Sequence, residues 1–491
     1  MLAGGVASLV VLALTFWILP QIGSEGPIPL VRLVVIFAVI GLLMRWVLTG
    51  VAVLIGSVGV LVGGALSQFA IVYVGIRLDP GITLSGGVEA AFVVAVVMSS
   101  ISALVGWIGY AGSEDAYLSE VMRGVRRSAR RIPPAPRTGL LVIQLDGLSA
   151  PLLNWMVMAG NLPHLGGWIR SGSHSLVPWH TGIPSTTPAG QAGILHGGSD
   201  HIPAFRWFEK DTGRIMLTNR PRDAADLEER LSDGRGLLAD GGASISNVFS
   251  GDAPTSLLTV SKAALPNGRS RGYVSFFASP QGFARGMVLT VAEMVKELHQ
   301  ARRQKRLQIT PRVKRAGSYV VLRAVSNVLL RDLNVSLITE QLAKGTPVIY
   351  CDFIDYDEVA HHAGPTRPES LQALAGLDRV LGGLRRIIEM LPHRYEIVVL
   401  SDHGQSQGAT FEQRYGQTLT EVVDDLVEGT VETAGATGPA EEWGPVNAFL
   451  TELSVRRSVT GSVTRRALRS STPHGQVELG PAECEPALPT D

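Results

Sequence analysis

Apolar residues divide the chain into two parts with different periodicities. Residues 1–112 are almost continuously apolar, with short breaks rich in glycine and proline. The apolar runs lie at 3–20, 30–48, 51–77 and 88–110. Each run is close to the ~20 residues that a helix needs to cross a bilayer, so the pattern predicts a four-helix transmembrane region. The first run alone could be a signal peptide, but it lacks a basic start and three further runs follow it.

The charge of the same region agrees with a membrane location. Its acidic and basic side chains are Glu25, Arg32, Arg45, Arg77, Asp79 and Glu89. A soluble domain carries roughly a quarter of its residues as charged side chains, so residues 1–112 are not expected to form a soluble surface.

An arginine-rich segment separates this region from the rest of the chain. Residues 113–137 form a predicted basic, proline-rich juxtamembrane linker, and its part 123–137 (RGVRRSARRIPPAPR) contains six arginines and no acidic residue. Positive residues beside a span tend to stay inside the cell, which predicts a cytoplasmic domain at 138–491. The arginines are interpreted either as a solvated linker or as a contact to anionic lipid.

The second part of the chain alternates short apolar runs with helical periodicity. The runs TGLLVIQLDG at 138–147, PVIYCDFIDYD at 347–357 and YEIVVLSDHG at 395–404 are typical of buried strands. Between the last two, residues 369–391 repeat apolar positions at three- and four-residue steps, as a helix does. This order predicts an α/β domain with a mainly parallel sheet and helices on both faces.

Acidic residues and histidines follow each of these three predicted strands. The ends carry Asp146, then Asp357 with His361, then Asp402 with His403. One Asp at a strand end is usually a turn or helix-cap residue, but three such ends at one edge of a parallel sheet predict a metal site. Carboxylate and imidazole ligands suit zinc, with manganese as an alternative. The two cysteines, Cys351 and Cys484, give neither a disulfide framework nor a CxxC zinc site.

A segment rich in hydroxyl groups lies between the first two strand ends. It reads PSTTPAGQAGILHGG at 184–198. A threonine before a small-residue helix is usually only an N-cap. At this place it would also direct a hydroxyl and backbone N–H groups toward an anion held by the metals.

These motifs resemble the type I phosphodiesterase/nucleotide pyrophosphatase branch of the alkaline phosphatase superfamily. The resemblance covers about residues 138–450. It consists of Asp146-Gly147, the P-[ST]-x-T segment at 184–187, D-x-x-x-H-x-x-G-P at 357–365 and S-D-H-G at 401–404. It implies an alkaline-phosphatase-like fold and a site with two divalent metal ions, zinc or manganese.

The resemblance also implies roles for individual residues. Thr187 is expected as the nucleophile, with Thr186 as the alternative. One metal would bind Asp146, Asp402, His403 and Thr187. The other would bind Asp357, His361 and a last histidine, whereas Asp355 and His362 fall outside the motif. The remaining later histidine is His474, and relatives usually continue further, so the domain is expected to be truncated at its C-terminus or to use His474.

Two basic features have less specific interpretations. Arg206, in HIPAFRW at 201–207, lies about where relatives hold a residue that orients the phosphate, and an arginine fork suits that role. It could equally be a surface arginine beside buried aromatic residues. The cluster ARRQKRLQITPRVKR at 301–315 is interpreted as a solvated face or as a contact to anionic lipid.

Together these features predict a membrane-anchored, metal-dependent phosphodiesterase or phosphatase with a Thr-phosphoryl intermediate. A phosphoglycerol-type transferase, or a degenerate membrane scaffold or binding protein, remains the alternative, and the apolar region resembles small holin-like modules. The expected partners are the lipid bilayer and a small phosphate-ester or phospholipid-like substrate. Lys+Arg and Asp+Glu are both 43, so no nucleic-acid partner is expected. The sequence leaves the substrate and the oligomeric state open.

Overall fold

The computed structural model describes the two parts of the chain as separate compact units. It covers residues 2–37, 39–40, 69, 71–110, 121–122, 125, 137–263, 280–310, 315, 317–426, 443–455, 466, 476–477 and 479. The apolar unit comprises residues 1–119, 269–289 and 456–463, and the sheet unit comprises 120–268, 290–455 and 464–491. His474 and the stretch 41–68 lie outside the described residues.

The helices and strands of the described residues are numbered here in chain order. The α-helices are α1 Leu2–Ile18, α2 Gly87–Tyr110, α3 Ala150–Met158, α4 Pro163–Arg170, α5 Thr187–His196, α6 Pro221–Leu231, α7 Pro280–Arg306, α8 Ser318–Ala324, α9 Arg331–Lys344, α10 Asp355–Ala363, α11 Pro368–Met390, α12 Phe411–Tyr415, α13 Leu419–Leu426 and α14 Gly444–Val455. The strands are β1 Ile22–Ser24, β2 Ile82–Leu84, β3 Gly139–Leu145, β4 Arg206–Glu209, β5 Arg214–Leu217, β6 Ala243–Ile245, β7 Thr255–Leu257, β8 Val348–Phe353 and β9 Tyr395–Leu400.

In the apolar unit, helices α1 and α2 and the helical residues at 27–37 and 71–78 accompany a small antiparallel ladder. Strands β1 and β2 pair with Ile22 opposite Leu84. Apolar side chains such as Leu33 and Val72 are fully buried in one cluster. The buried carboxylate of Asp79 accepts two hydrogen bonds from the guanidinium of Arg32, at 2.8 and 3.0 Å, so its charge is neutralised locally.

The described residues do not confirm the predicted four-span region. Helix α1 covers the first apolar run and α2 the fourth, whereas much of the second and third runs lies outside the described residues. Within the part of the chain that is described, no helix is both long enough and apolar enough to cross a membrane.

The sheet unit is built on five parallel strands in the order β7-β6-β8-β3-β9. The predicted strands at 138–147, 347–357 and 395–404 correspond to β3, β8 and β9, and β3 lies between β8 and β9 in the sheet. Residues such as Leu141 and Ile349 are completely buried, as expected for strands covered on both faces. The α/β fold with a mainly parallel sheet is therefore confirmed, and the carboxyl ends of these three strands lie side by side.

The helices after the sheet strands are fixed by polar as well as apolar contacts. The predicted helix at 369–391 corresponds to α11, which starts with proline at its first position. From its interior, the buried carboxylate of Asp378 accepts hydrogen bonds from the backbone N–H groups of His164 and Leu165. This contact satisfies the start of α4, where N–H groups have no partner within the helix.

A second polar contact lies inside the sheet unit and is called the arginine cluster here. Glu297 of α7 accepts two hydrogen bonds of 2.6 Å from Arg315, and it is also paired with Arg323 of α8. All three side chains are at least nine-tenths buried. Arg315 is the last residue of the basic run 301–315, and its burial against Glu297 excludes both solvent and lipid as its partner.

Candidate active site

Three of the predicted metal ligands meet where β3 and β9 end. Asp146 follows β3 directly, and Asp402 and His403 follow β9. The Nε2 atom of His403 lies 3.4 Å from Asp146 Oδ1 and 3.8 Å from Asp402 Oδ2. One ligand atom from each of the three residues lies within 4.8 Å of the others, which is a spacing that one metal ion can bridge.

Thr187 contacts the same group of side chains from the start of α5. Its Oγ1 lies 3.3 Å from Asp146 Oδ1 and 3.1 Å from His403 Nε2. The preceding residue, Thr186, has the extended backbone of an N-cap position, and its buried Oγ1 has no hydrogen-bond partner among the described residues. The geometry therefore brings Thr187, and not Thr186, to the predicted ligands.

Helix α5 is fixed to the sheet one turn after Thr187. The side chain of Gln191 donates to Asp352 Oδ2 at 2.9 Å and accepts from the backbone N–H of Val248 at 2.7 Å. It also lies 3.4 Å from the Oε1 atom of Gln144, which faces Asp352 across β3 and β8. Because Gln191 is completely buried, these contacts hold the start of the helix against the carboxyl edge of the sheet.

The second predicted pair of ligands lies on α10, directly after β8. His361 Nε2 is 3.0 Å from Asp357 Oδ2, one helical turn away. The amide of Gln405 donates to the other oxygen of Asp357. Burial acts to raise the pKa of Asp357, but His361 and the Gln405 amide bring it below its usual value.

The neighbouring candidates Asp355 and His362 face away from this pair. His362 stacks on the ring of Tyr319, with 3.6 Å between ring centres, and its burial lowers its pKa to about 4. Asp355 lies 3.5 Å from the guanidinium of Arg331. Neither residue lines the cleft that contains Asp357 and His361. On α10, Asp357 and His361 therefore line the cleft, whereas Asp355 and His362 do not, which agrees with the spacing of the motif.

The charges of this site are suited to a bound cation. Burial and the nearby carboxylates of Asp402, Asp352 and Asp357 raise the pKa of Asp146 well above its usual range. Burial also raises the pKa of Asp402, although His403 acts against it. Both oxygens of Asp402 are buried and receive no hydrogen bond from the described residues. Carboxylates crowded without donors, with imidazole nitrogens beside them, fit divalent metal ions well.

Two glycines make this crowding sterically feasible. Gly147 follows Asp146 with a φ of +67°, and a Cβ placed there would lie 1.8 Å from Asp357 Oδ1. Gly190, in the first turn of α5, would bring a Cβ to 2.9 Å from the Cβ of Asp402. The absence of side chains at these positions lets Asp357 approach Asp146, and lets the helix of Thr187 approach Asp402.

A cleft of about 840 Å³ of empty space, open solvent included, extends from these residues. It is lined by Asp146, Ser185, Thr186, Thr187, Pro188, Phe205, Asn219, Ser246, Asn247, Val248, Val260, Asp352, Ile354, Asp357, Glu358, His361, His403 and Gly444. Arg206, at the start of β4, is next to the lining residue Phe205 but does not itself line the cleft, so its phosphate-orienting role stays a prediction. No motif in the sequence predicted Asn219, Asn247 or Glu358 as lining residues.

The comparison with protein families decides the classification of this chain. Residues 140–441, more than half of the chain, match the family described as type I phosphodiesterase / nucleotide pyrophosphatase. The chain belongs to the type I phosphodiesterase/nucleotide pyrophosphatase family. The match spans β3 to β9 and so includes every predicted ligand that the structure brings together. No curated protein matches the chain at the same level of significance.

Solved structures show only a distant similarity. The chain is similar to phosphonoacetate hydrolase from Sinorhizobium meliloti 1021 in complex with phosphonoformate, with 18% identity and a TM-score of 0.32 over 55% of this chain and 57% of the other. The complex of that enzyme with phosphonoacetate gives 16% identity and a TM-score of 0.36 over 62% and 67%. The first of these matches spans little more than half of the hydrolase chain.

Proposed function

We propose that the protein hydrolyses a phosphate ester through a covalent intermediate on Thr187. The observation that carries the proposal is the position of Thr187 Oγ1, within 3.3 Å of Asp146 and 3.1 Å of His403 at the start of a helix. Family membership supports phosphate-ester chemistry, and the buried carboxylates support metal dependence. A hydroxyl held among metal-binding side chains is the arrangement that nucleophilic attack on phosphorus needs.

The proposed reaction has two displacements at phosphorus. In the first, Thr187 Oγ1 loses its proton to solvent and forms a bond to phosphorus, while the bond to the leaving alcohol breaks and that oxygen gains a proton. In the second, water loses a proton and forms a new bond to phosphorus, while the bond to Thr187 breaks and its Oγ1 regains a proton. The free backbone N–H groups at the start of α5, where Pro188 has none, would donate to the phosphoryl oxygens and stabilise their negative charge.

Two groups of residues are proposed to hold two divalent metal ions. Asp146, Asp402, His403 and Thr187 form the first group, and Asp357 with His361 forms the second. Zinc suits these ligands best, with manganese as the alternative. When bound, such ions supply positive charge for the attacking and leaving oxygens and lower the pKa of a hydroxyl group. His474 stays one of the two alternatives given by the sequence for the last ligand of the second group, and it lies outside the described residues.

We also propose that the apolar unit attaches the enzyme to a bilayer, with the sheet unit on the cytoplasmic side. Its helices carry large exposed apolar side chains, including Trp17, which is 83% exposed, and Phe92. Such surfaces are typical of contacts with lipid or protein. C-terminal fusions to reporters that work only inside or only outside the cell test the orientation, and signal from the outside reporter would overturn it.

The nucleophile is tested by a pair of adjacent variants. Thr187→Ala should lower kcat on bis-p-nitrophenyl phosphate by several orders of magnitude, because no hydroxyl replaces it. The metal content, measured by mass spectrometry of the bound ions, should stay nearly unchanged. Thr186→Ala is the matched control and should be far milder. The reverse ranking of the two variants would refute Thr187, and a parallel assay with p-nitrophenyl phosphate separates diesterase from monoesterase activity.

A further inference from the structure

Helix α7 has polar residues on its buried face and apolar residues on its exposed face. Glu297 is completely buried, and Gln304, two turns later on the same face, is 4% exposed. By contrast, Val291, Val295 and Leu298 are 56%, 62% and 39% exposed. A surface helix of a soluble domain normally has the opposite arrangement, in which the apolar residues face the core. The exposed face of α7 is therefore suited to an apolar partner.

The buried face of α7 is fixed by ion pairs and hydrogen bonds within the sheet unit. Glu297 belongs to the arginine cluster, and Glu293, one turn earlier, pairs with Arg323 at 2.7 Å. On the same side of the helix, Gln300 accepts a hydrogen bond of 3.0 Å from Arg323. Turning the helix to bury its valines would leave these buried arginines without partners, at a high cost in stability. The apolar face is thus held outward.

The exposed residues of α7 form one continuous stripe, called the α7 stripe here. It consists of Val291, Val295, Leu298, Arg302 and Arg306, all of which are exposed. Steps of three and four residues place them on one face of the helix. Neither arginine forms an ion pair with an acidic residue in the part of the chain that the structure describes. The stripe is apolar in its N-terminal half and basic in its C-terminal half.

This order of apolar and basic residues fits the surface of an anionic bilayer. Valine and leucine side chains can enter the boundary between headgroups and acyl chains, as on interfacial amphipathic helices. Arginine side chains are long enough to keep their guanidinium groups at the level of the lipid phosphates. Basic residues near such a surface each add to binding, because the headgroups carry negative charge.

The position of the stripe along the chain supports the same partner. Residues 280–289 of α7 are grouped with the apolar unit, and the first residue of the stripe is Val291. Along the chain, the stripe therefore follows almost directly on a segment of the unit that is proposed to contact the bilayer. The cytoplasmic leaflet, which the proposed orientation places on the side of the sheet unit, is the anionic one.

We infer that the α7 stripe docks on the surface of a bilayer that contains anionic phospholipids. Val291, Val295 and Leu298 enter the boundary between headgroups and acyl chains. Arg302 and Arg306 bind the lipid phosphates. The inference rests on the proposed attachment of the apolar unit, which brings a bilayer within reach, and is independent of the proposed hydrolysis. It adds that the sheet unit has its own contact with lipid, which depends on lipid charge.

A fluorescent label on the stripe tests this inference in the full-length protein. Leu298→Cys is labelled with nitrobenzoxadiazole in a Cys484→Ser background, since Cys351 is completely buried. The protein is reconstituted in vesicles of phosphatidylcholine, with or without an equal amount of phosphatidylglycerol, that contain a lipid with a quenching nitroxide on its acyl chain. We expect quenching and a blue shift of the emission in the anionic vesicles, and much less of both in the neutral ones. A label at Arg385→Cys, on the exposed face of α11, should stay unquenched in both.

Variants assign the docking to the two halves of the stripe. Arg302→Gln with Arg306→Gln should lower the ratio of docked to undocked protein, obtained from the quenched fraction, by roughly fivefold for each charge removed. Lys210→Gln with Arg222→Gln is the matched control, because it removes two exposed basic residues outside α7 and should leave the ratio unchanged. Val295→Gln should also reduce quenching. Because Val295 is exposed, its free energy of unfolding in urea should stay nearly unchanged, which separates lost docking from lost folding.

Two further outcomes would overturn the inference. Quenching that is absent in both kinds of vesicle, or equal in both, would show that the stripe does not bind anionic lipid. A label that is shielded without quenching, increasingly so at higher protein-to-lipid ratios, would assign the stripe to a second copy of the chain instead.

Flotation of the unlabelled protein separates this inference from the proposed attachment of the apolar unit. Failure to float with neutral vesicles would refute that attachment, and flotation with anionic vesicles would then decide the inference alone. Turnover of bis-p-nitrophenyl phosphate is measured separately and tests the hydrolysis, whatever the outcome for the stripe.

Discussion

Asp402 and Glu297 are both completely buried acidic residues of the sheet unit, but their surroundings are opposite. Glu297 accepts hydrogen bonds from Arg315 and is paired with Arg323, both of which are buried with it. Asp402 lies beside Asp146, and neither of its oxygens receives a hydrogen bond from the described residues. In the arginine cluster the chain supplies its own cations, whereas at the strand ends no described lysine or arginine pairs with Asp146 or Asp402, and His403 lies beside them.

This difference distinguishes a structural charge cluster from a functional one. Burying an ion pair contributes little net stability, but removing one partner leaves an uncompensated charge and is strongly destabilising. The carboxylates around Asp402 are in that unfavourable state unless a cation binds, and they therefore reduce the stability of the metal-free protein. The proposed binding of metal ions would account for this arrangement.

The largest effect should come from removing one carboxylate of the metal site. Asp402→Asn keeps the shape of the side chain but removes its charge. We expect kcat/KM to fall by orders of magnitude with loss of bound metal. The same change should leave the free energy of unfolding of the metal-free protein unchanged or raise it by about 1 kcal/mol, because it relieves repulsion with Asp146. Urea unfolding in the presence of a chelator measures this, and a loss of several kcal/mol would contradict the comparison.

The corresponding change in the arginine cluster should lower the free energy of unfolding and leave metal binding unchanged. Glu297→Gln leaves Arg315 and Arg323 without a buried counter-charge, so the free energy of unfolding should fall by about 3–5 kcal/mol. The folded fraction should still bind its metals. Glu389→Gln is the control, because Glu389 pairs with Arg385 on the exposed face of α11 and should cost less than about 1 kcal/mol. Metal loss in Glu297→Gln without loss of stability would contradict the structural role.

Glu228 of α6 is a third buried acid. Its substitution should have the smallest effect on the free energy of unfolding, and the size of this effect depends on pH. Burial acts to raise its pKa, but hydrogen bonds from His196 and Ser261 and the charge of Lys262 lower it to about 2. Because the folded pKa lies below the unfolded one, the stabilisation is complete above about pH 4.5 and is lost as the pH falls toward 2. Its full size is roughly 3 kcal/mol, at 1.4 kcal/mol for each pH unit.

The test compares wild type with Glu228→Gln by urea unfolding at pH 7, 5 and 3.5. The difference in the free energy of unfolding should be constant between pH 7 and 5. At pH 3.5 it should be smaller by about 1 kcal/mol, since part of the wild-type stabilisation is then lost. A difference that grows on acidification would show that Glu228 titrates in the opposite direction.

Sequence patterns predicted the strands and ligands that belong to long, continuous segments. The apolar runs that became β3, β8 and β9 are six or seven residues long and end in Asp-containing segments, so both the strands and their order along the chain were recognisable. The choice of His361 over His362 followed from motif spacing, and the structure explains it: one faces the cleft and the other stacks on Tyr319.

Features that depend on partners distant in the chain could not be predicted in this way. Strands β6 and β7 have only three residues each, without a long apolar run, so nothing marked Asn247 as a residue at a strand end. The basic run 301–315 was interpreted as a solvated face or as a contact to anionic lipid. A run of charges does not show that Glu297, which lies outside the run, is buried together with Arg315. Nothing in the sequence indicated that Phe205, next to Arg206, would line the cleft, and the phosphate-orienting role of Arg206 stays a prediction.

The close approach at Gly147 has a consequence for engineering this enzyme. Substituting Asp146, Asp357 or Asp402 removes a candidate ligand, and with it a negative charge. A methyl group at position 147 would instead act as a steric wedge against Asp357, since its Cβ would overlap the carboxylate at 1.8 Å. Gly147→Ala thus offers a means of moving Asp357 away from Asp146 while every candidate ligand is kept, and so of separating the role of distance from the role of composition.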